Sequence, residues 1–153
     1  MYYNAIIHTP LGKLGICTSE QRLIQIDFLA EDTPLIDPKE KLIKHIVNEL
    51  NHYFNNSTFQ FNVSYRLSGT PFQQRVWRAL STLPVQTTIT YGALAKKLKT
   101  SARAIGNACR ANPLPIFIPC HRVVAQHSLG GYKGKEKKID IKKWLLKHEI
   151  SPL

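Results

Sequence analysis

Apolar and polar positions alternate in three short runs near the start of the chain: Tyr3-Asn4-Ala5-Ile6-Ile7, Leu14-Gly15-Ile16-Cys17 and Leu23-Ile24-Gln25-Ile26-Asp27-Phe28. A period of two puts every second side chain on one face of a strand. Gly12 and the Ser19-Glu20-Gln21 cluster punctuate the runs, so residues 1–29 are predicted to form a three-stranded meander. The period then changes. Leu42, Ile43, Ile46, Val47 and Leu50 fall at helical spacing and predict a helix opened by Asp37-Pro38 and ended by Asn55-Asn56-Ser57. Phe59-Gln60-Phe61-Asn62-Val63 alternates again and predicts a further strand. Residues 1–66 read as a small α+β domain, and Ser68-Gly69-Thr70-Pro71 as a linker.

From residue 69 to 153 the pattern is mainly helical. Thr70 can cap a helix that has Pro71 at its first position and Phe72, Val76, Trp77 and Leu80 on its apolar face, ending before Pro84. Thr90 caps a short helix from Tyr91 to Leu98, and Ser101 caps another from Ala102 to about Ala111, closed by Asn112-Pro113. Only Lys99, Thr100 and Ser101 separate these two. That is helix-turn-helix spacing, in which the second helix enters a nucleic-acid groove. On this second helix Arg103, Asn107 and Arg110 share a face with Gly106 beside them. Ala104, Ala108 and Ala111 make a neighbouring face of small side chains, and Ile105 and Cys109 point inward. A helix showing only Ala, Gly, Asn and Arg can approach a polyanion closely. The fold class is therefore α+β, a small sheet-and-helix domain followed by a helical one with a helix-turn-helix.

Charge strengthens this picture. Residues 1–68 carry 6 basic and 7 acidic side chains, whereas residues 69–153 carry 15 and 3, so the whole excess of the +11 chain lies in the second part. A one-sided basic field favours a polyanionic partner. No apolar run approaches the roughly 20 residues of a membrane span, and Met1-Tyr2-Tyr3-Asn4-Ala5 has no signal-peptide character. Three cysteines at unrelated positions, 17, 109 and 120, argue against a disulfide framework and for a reducing compartment. The expectation is a soluble, cytoplasmic monomer without membrane contact.

Candidate chemistry centres on Cys120, within Ile118-Pro119-Cys120-His121-Arg122-Val123. Flanking apolar runs bury the segment and Pro119 breaks regular pairing there. Arg122 and His121 bring positive charge close to the sulfur, which favours thiolate over thiol. Cys17 and Cys109 lack such neighbours and read as packing residues. Adjacent residues of extended backbone face opposite ways, so His121 is expected to act on Cys120 through a water, with a third group orienting the imidazole. No zinc spacing, glycine-rich phosphate loop or paired carboxylate is present, so no metal and no cofactor are expected.

Gly69-Thr70-Pro71-Phe72-Gln73-x-x-Val76-Trp77, Tyr91-Gly92-x-Leu94-Ala95, Ala102-Arg103-Ala104-Ile105-Gly106, Arg110-x-Asn112-Pro113, Ile118-Pro119-Cys120-His121-Arg122-Val123 and Lys143-Trp144-Leu145-Leu146-x-x-Glu149 together resemble the O6-alkylguanine-DNA alkyltransferases. The motifs run in the family's order over about half the chain. The resemblance implies a ribonuclease-H-like layout for residues 1–66 and a DNA-binding, alkyl-accepting domain for 69–153. It implies duplex DNA containing alkylated guanine as partner, nucleotide flipping, and irreversible transfer of the alkyl group from O6-alkylguanine, and from O4-alkylthymine as well, to a protein cysteine. It assigns Cys120 as acceptor, His121 as base through a water, Glu149 as the group polarising the imidazole and Tyr91 as proton donor to the leaving guanine. Arg103 would fill the gap in the stack and Asn112 would hold the turn after the recognition helix. Ala102, Gly106, Asn107 and Arg110 would face DNA, while Tyr132, Gly134 and the backbone at Val123 would line the base pocket, where Lys133 departs from the small hydroxyl residue of some members.

Three other readings fit less of the chain. A plain helix-turn-helix regulator would not need Tyr91, Cys120 and Glu149 together. A lesion-binding relative that does not repair would lack Cys120. A Cys-His hydrolase would not carry the basic field.

Overall fold

The computed structural model describes residues 2–132 and 138–150. They fall into two compact units, Met1–Ser68 and Gly69–Pro152. In the first, β1 (Ala5–Thr9), β2 (Gly12–Ser19) and β3 (Arg22–Leu29) form an antiparallel sheet in the order β1-β2-β3, the meander that the alternation predicts. The β2–β3 turn places Glu20 and Gln21 at φ of 49° and 63°, the left-handed pair that suits a two-residue hairpin. Leu14, Ile16, Leu23 and Ile26 of the sheet are buried, as are Ile43, Ile46, Leu50 and Tyr53 of α1 (Lys41–Asn55).

Two details of this unit differ from the sequence pattern. Helix α1 begins at Lys41 rather than at Asp37-Pro38, because Ile36 is held extended by a two-way backbone bridge with Ile6. Residues 59–63 form no strand. Their polar groups are met by side chains of α1: Asn62 donates its N–H to Glu49 Oε1 at 2.6 Å, and its carbonyl lies 3.0 Å from His45 Nε2. Phe59 stacks on His52 and Phe61 tilts against Tyr53. Alternation there reflects packing on a helix, and just beyond the segment Tyr65 meets β3 in a parallel bridge with Leu23.

In the second unit, α2 (Pro71–Ser81) opens with a complete capping box: the Thr70 hydroxyl accepts from Gln73 N–H, and the Gln73 side chain accepts from Thr70 N–H. Helices α3 (Tyr91–Leu98) and α4 (Ala102–Arg110) are capped by Thr90 and Ser101, and Lys99 ends α3 in the left-handed region at φ 56°. The helix pair packs together as its spacing predicts. Val76, Trp77, Leu80, Leu94, Ile105, Leu114, Ile118, Val123 and Leu145 form the core of this unit. Ala108 belongs to that core rather than to an outward small face, because its carbonyl accepts the Trp77 indole N–H at 2.9 Å. Two-residue strands β4 (Ile89–Thr90) and β5 (Val123–Val124) pair in parallel, and α5 (Ile139–Ile150) follows. No helix among the described residues is long and apolar enough to cross a membrane.

Candidate active site

Two backbone devices position the reactive groups. Tyr91 is the first residue of α3, directly after β4, and the pairs Ile89↔Val123 and Thr90↔Val124 tie that point to the residues following Cys120. Asn112, fully buried beyond α4, donates Nδ2 to Ile118 O at 2.8 Å and accepts Leu114 N–H at 2.9 Å, which closes the connection back onto the cysteine segment. Cys120 itself begins a 3₁₀ turn, Cys120–Arg122, where the sequence pattern predicts extended backbone. Pro119 imposes the break: its carbonyl accepts Arg122 N–H at 3.1 Å, which tightens the chain into a turn.

Cys120 is buried, and it borders a cavity of about 380 Å³ shared with Tyr91, Arg103, Gly106, Asn107, Cys109, Arg110, Gly131 and Tyr132. That volume lies in the range of small-molecule sites. Burial pushes the Tyr91 hydroxyl up to about 12, with the nearby Cys109 and Cys120 sulfurs acting in the same direction, so it faces the cavity as a proton donor at neutral pH. Ala102, Arg103, Gly106, Tyr91 and Gly92 also border an adjoining surface groove of about 550 Å³.

His121 and Glu149 form the second layer. Both are buried, with His121 Nε2 2.7 Å from Glu149 Oε2. Burial would raise the Glu149 carboxyl, but hydrogen bonds and charge from His121 and Arg122 outweigh it and hold the group at about 2. Burial lowers His121, Arg122 and Lys142 lower it further, and Glu149 opposes only in part, so the ring is neutral. An ionised carboxylate only accepts, which assigns the ring proton to Nε2 and leaves Nδ1 as the basic atom. Among the described residues Nδ1 has no hydrogen-bond partner.

The model of the 6-O-methylguanine DNA methyltransferase DNA-binding domain matches residues 71–151, and that of the ribonuclease-like domain of the same proteins matches residues 1–67. The chain belongs to the methylated-DNA–protein-cysteine methyltransferase family. The methyltransferase of Methanosarcina mazei is 34% identical, over 100% of this chain and 99% of its own. The constitutive methyltransferase of Bacillus subtilis is 35% identical, over 97% and 96%. Among solved structures, Mycobacterium tuberculosis OGT in complex with DNA aligns with a TM-score of 0.83 at 36% identity, covering 96% of this chain and 92% of that one.

In this methyltransferase the residues singled out by sequence fall into distinct places. Cys120, Tyr91, Arg103, Gly106, Asn107, Arg110 and Tyr132 meet at the cavity. Ala102 lies on the adjoining groove, and Val123 is buried with its carbonyl turned to Lys142. Gly134 and Lys133 lie outside the described residues. Arg122 does not serve the sulfur as expected; its guanidinium is engaged by Glu149. Cys109 is not merely a packing residue, since the inward face of α4 at this point borders the cavity. Burial and the neighbouring Cys120 hold its thiol protonated, up at about 12.

Lys142 went unnoticed in the sequence. It is fully buried, and its Nζ donates to Val123 O at 2.6 Å and Gly131 O at 3.0 Å while lying 5.6 Å from the centre of the Tyr91 ring. Burial brings the ammonium down to about 8, with the Cys120 and Cys109 sulfurs pulling the other way. It is therefore the buried cation that the two cysteines sense. A signal existed: Lys142, Leu145, Leu146 and Glu149 fall at i, i+3, i+4 and i+7, one face of α5. Gly130, at φ 74°, passes so close to Tyr91 that an added Cβ would lie 2.9 Å from its ring, so this loop also fixes the tyrosine.

Proposed function

We propose that this methyltransferase repairs O6-alkylguanine in duplex DNA, with O4-alkylthymine as a further substrate, by moving the alkyl group to Cys120. The observation that carries the assignment is the cavity shared by the Cys120 sulfur, the Tyr91 hydroxyl and the Arg103 face of α4. A stacked base hides O6 from a buried sulfur, so the nucleotide must be extruded into that cavity. Arg103 fills the vacated stack, and the small residues Ala102 and Gly106 let α4 lie close to the backbone, with Asn107 and Arg110 alongside.

The Cys120 proton passes to His121 Nδ1 through a water, with Glu149 orienting the ring through Nε2. The thiolate attacks the alkyl carbon, the carbon–O6 bond breaks, and the guanine takes up a proton from Tyr91. Lys142 stabilises the thiolate and fixes the loop that ends at Tyr132. Tyr132, Gly134 and the Val123 backbone form the base pocket, and Asn112 keeps the acceptor segment in register with α4. The product is a stable thioether, so each molecule acts once and no cofactor enters. Residues 1–66 serve as a supporting ribonuclease-H-like domain and 69–153 as the reacting one, in a cytoplasmic monomer.

Incubation with a duplex containing O6-methylguanine is expected to add one methyl group to Cys120, read by intact-protein mass spectrometry and peptide mapping. An unchanged mass under excess lesion, or a methyl on Cys17 or Cys109, rejects the proposal. Arg103→Ala is expected to slow repair of the duplex at least tenfold, the order of a lost 1.4 kcal/mol interaction, while reaction with free O6-benzylguanine keeps its rate. Equal losses in both assays would remove Arg103 from the flipping step.

A further inference from the structure

Glu149 is a buried carboxylate on which the side chains of Arg122 and His121 converge. Arg122 holds it with both arms of its fork, Nε to Oε1 at 2.8 Å and Nη2 to Oε2 at 2.9 Å, and His121 Nε2 shares Oε2. The third arm, Nη1, donates at 2.5 Å to the carbonyl of Leu83, just beyond α2. All three arms of the guanidinium are thus directed, and none is directed at Cys120. A buried carboxylate requires a positive partner. If Arg122 did not meet that need, His121 would meet it by taking a proton on Nδ1, and an imidazolium has no lone pair left for the cysteine proton.

We propose that Arg122 is a positioning residue of the reaction: it supplies the charge that Glu149 requires and so keeps His121 free to act as a base. The inference rests on the assignment of His121 as base to Cys120. A carboxylate held at both oxygens cannot rotate, so its Oε2 stays on the Nε2–H and holds the tautomer with Nδ1 open. The Leu83 bond carries this restraint to the end of α2, making the orientation of Glu149 independent of α5 alone. The charged and titratable groups bearing on the His121 ring are Glu149 and Lys142 of α5 and Cys120 and Arg122 of its own turn. The buried side chains of α2, which also packs on the turn, are Val76, Trp77 and Leu80, with Arg75 and Arg78 exposed. Lys142 and Arg122 both disfavour the imidazolium, but only Arg122 also grips the carboxylate that favours it.

The test uses the full chain as wild type, Arg122→Lys and Arg122→Leu. Two quantities are followed from pH 5.5 to 9: the rate of Cys120 alkylation by free O6-benzylguanine, and the His121 ring signals of protein labelled with ¹³C-histidine. In the wild type His121 is expected to stay neutral to the acid end of the range. In Arg122→Leu the ring is expected to titrate inside that range, so that the rate near pH 6 falls about threefold more than the rate near pH 9. Arg122→Lys restores a cation without the fork and is expected to recover most of the acid-side rate. A rate loss in Arg122→Leu that is uniform across pH, or a His121 titration unmoved by the substitution, overturns the proposal and leaves Arg122 a structural tie. Should Arg122→Leu fail to fold, the wild-type and Arg122→Lys titrations decide: a wild-type imidazolium at pH 7 would overturn the inference. Failure of the wild type to alkylate Cys120 would reject the assigned function, whereas the ring titration reads the Arg122–Glu149–His121 relation in either case.

Discussion

Replacing Cys120 by Ala is expected to abolish uptake of the alkyl group while leaving binding to duplex DNA within about twofold of the wild type, a difference of under 0.5 kcal/mol. In the proposed reaction the Cys120 sulfur is the nucleophile, and neither Cys17 nor Cys109 is expected to take its place. Cys17 lies in the other compact unit, and Cys109, though on the cavity, is a protonated thiol with its ionisation pushed up to about 12. At neutral pH the thiolate fraction of such a group is below about one in 10⁴, and the thiolate is the reactive form. The groups proposed to meet DNA are on α4 and its flanks, and removing one sulfur at the cavity wall alters none of them. Gel-shift titration alongside a methyl-transfer assay separates the two properties. Residual transfer to Cys109 in the Ala variant, or DNA binding lost with transfer, would contradict this division of labour.

Glu149→Gln is expected to cost about 3 kcal/mol of stability at pH 7 and to slow alkylation in the same protein. The sign follows from the direction of the shift. A carboxyl held at about 2 in the folded state, below its ordinary range, contributes stability that is complete above about pH 5 and disappears as pH falls towards 2. Urea unfolding of the wild type should therefore show a loss of stability on acidification that the Gln variant lacks. At neutral pH the variant strands Arg122 without its anion, and with the amide oxygen in the place of Oε2 the amide NH2 takes the place of Oε1, where it faces the Arg122 Nε donor. A neutral-pH difference below about 1 kcal/mol, the value of an exposed pair, would mean that water reaches this carboxylate freely.

Local pattern predicts most of the framework because local chemistry determines it. The sheet follows from a period of two interrupted by turns, and α2, α3 and α4 follow from Thr70, Thr90 and Ser101, each of which caps its helix through its own hydroxyl. Pattern misleads where partners come from afar. The Phe59 and Phe61 alternation looks like a strand, yet its backbone is answered by Glu49 and His45 from α1. Arg122 sits two residues from Cys120, yet its charge goes to a carboxylate 27 positions later. Lys142 escapes notice for the same reason, since two backbone carbonyls leave no trace in residue type. Cys120, Tyr91 and the α4 face are legible because each stands in a distinctive motif; the electrostatics around them depend on tertiary contacts.

The short parallel pairing of Ile89–Thr90 with Val123–Val124 has a bearing on the damage this protein can handle. It couples the start of α3 to the cysteine turn through the main chain, so in the proposed reaction the separation of Tyr91 from Cys120 works as a fixed gauge. A bulkier adduct cannot be admitted by spreading those two jaws. Room on the cavity wall lies elsewhere: Gly131 lines the same space with its carbonyl held by Lys142, and a Cβ there would meet no described atom within 4 Å. Substitution at Gly131 would therefore change the bulk of the cavity wall while the main-chain coupling of Tyr91 to the Cys120 turn stays as it is.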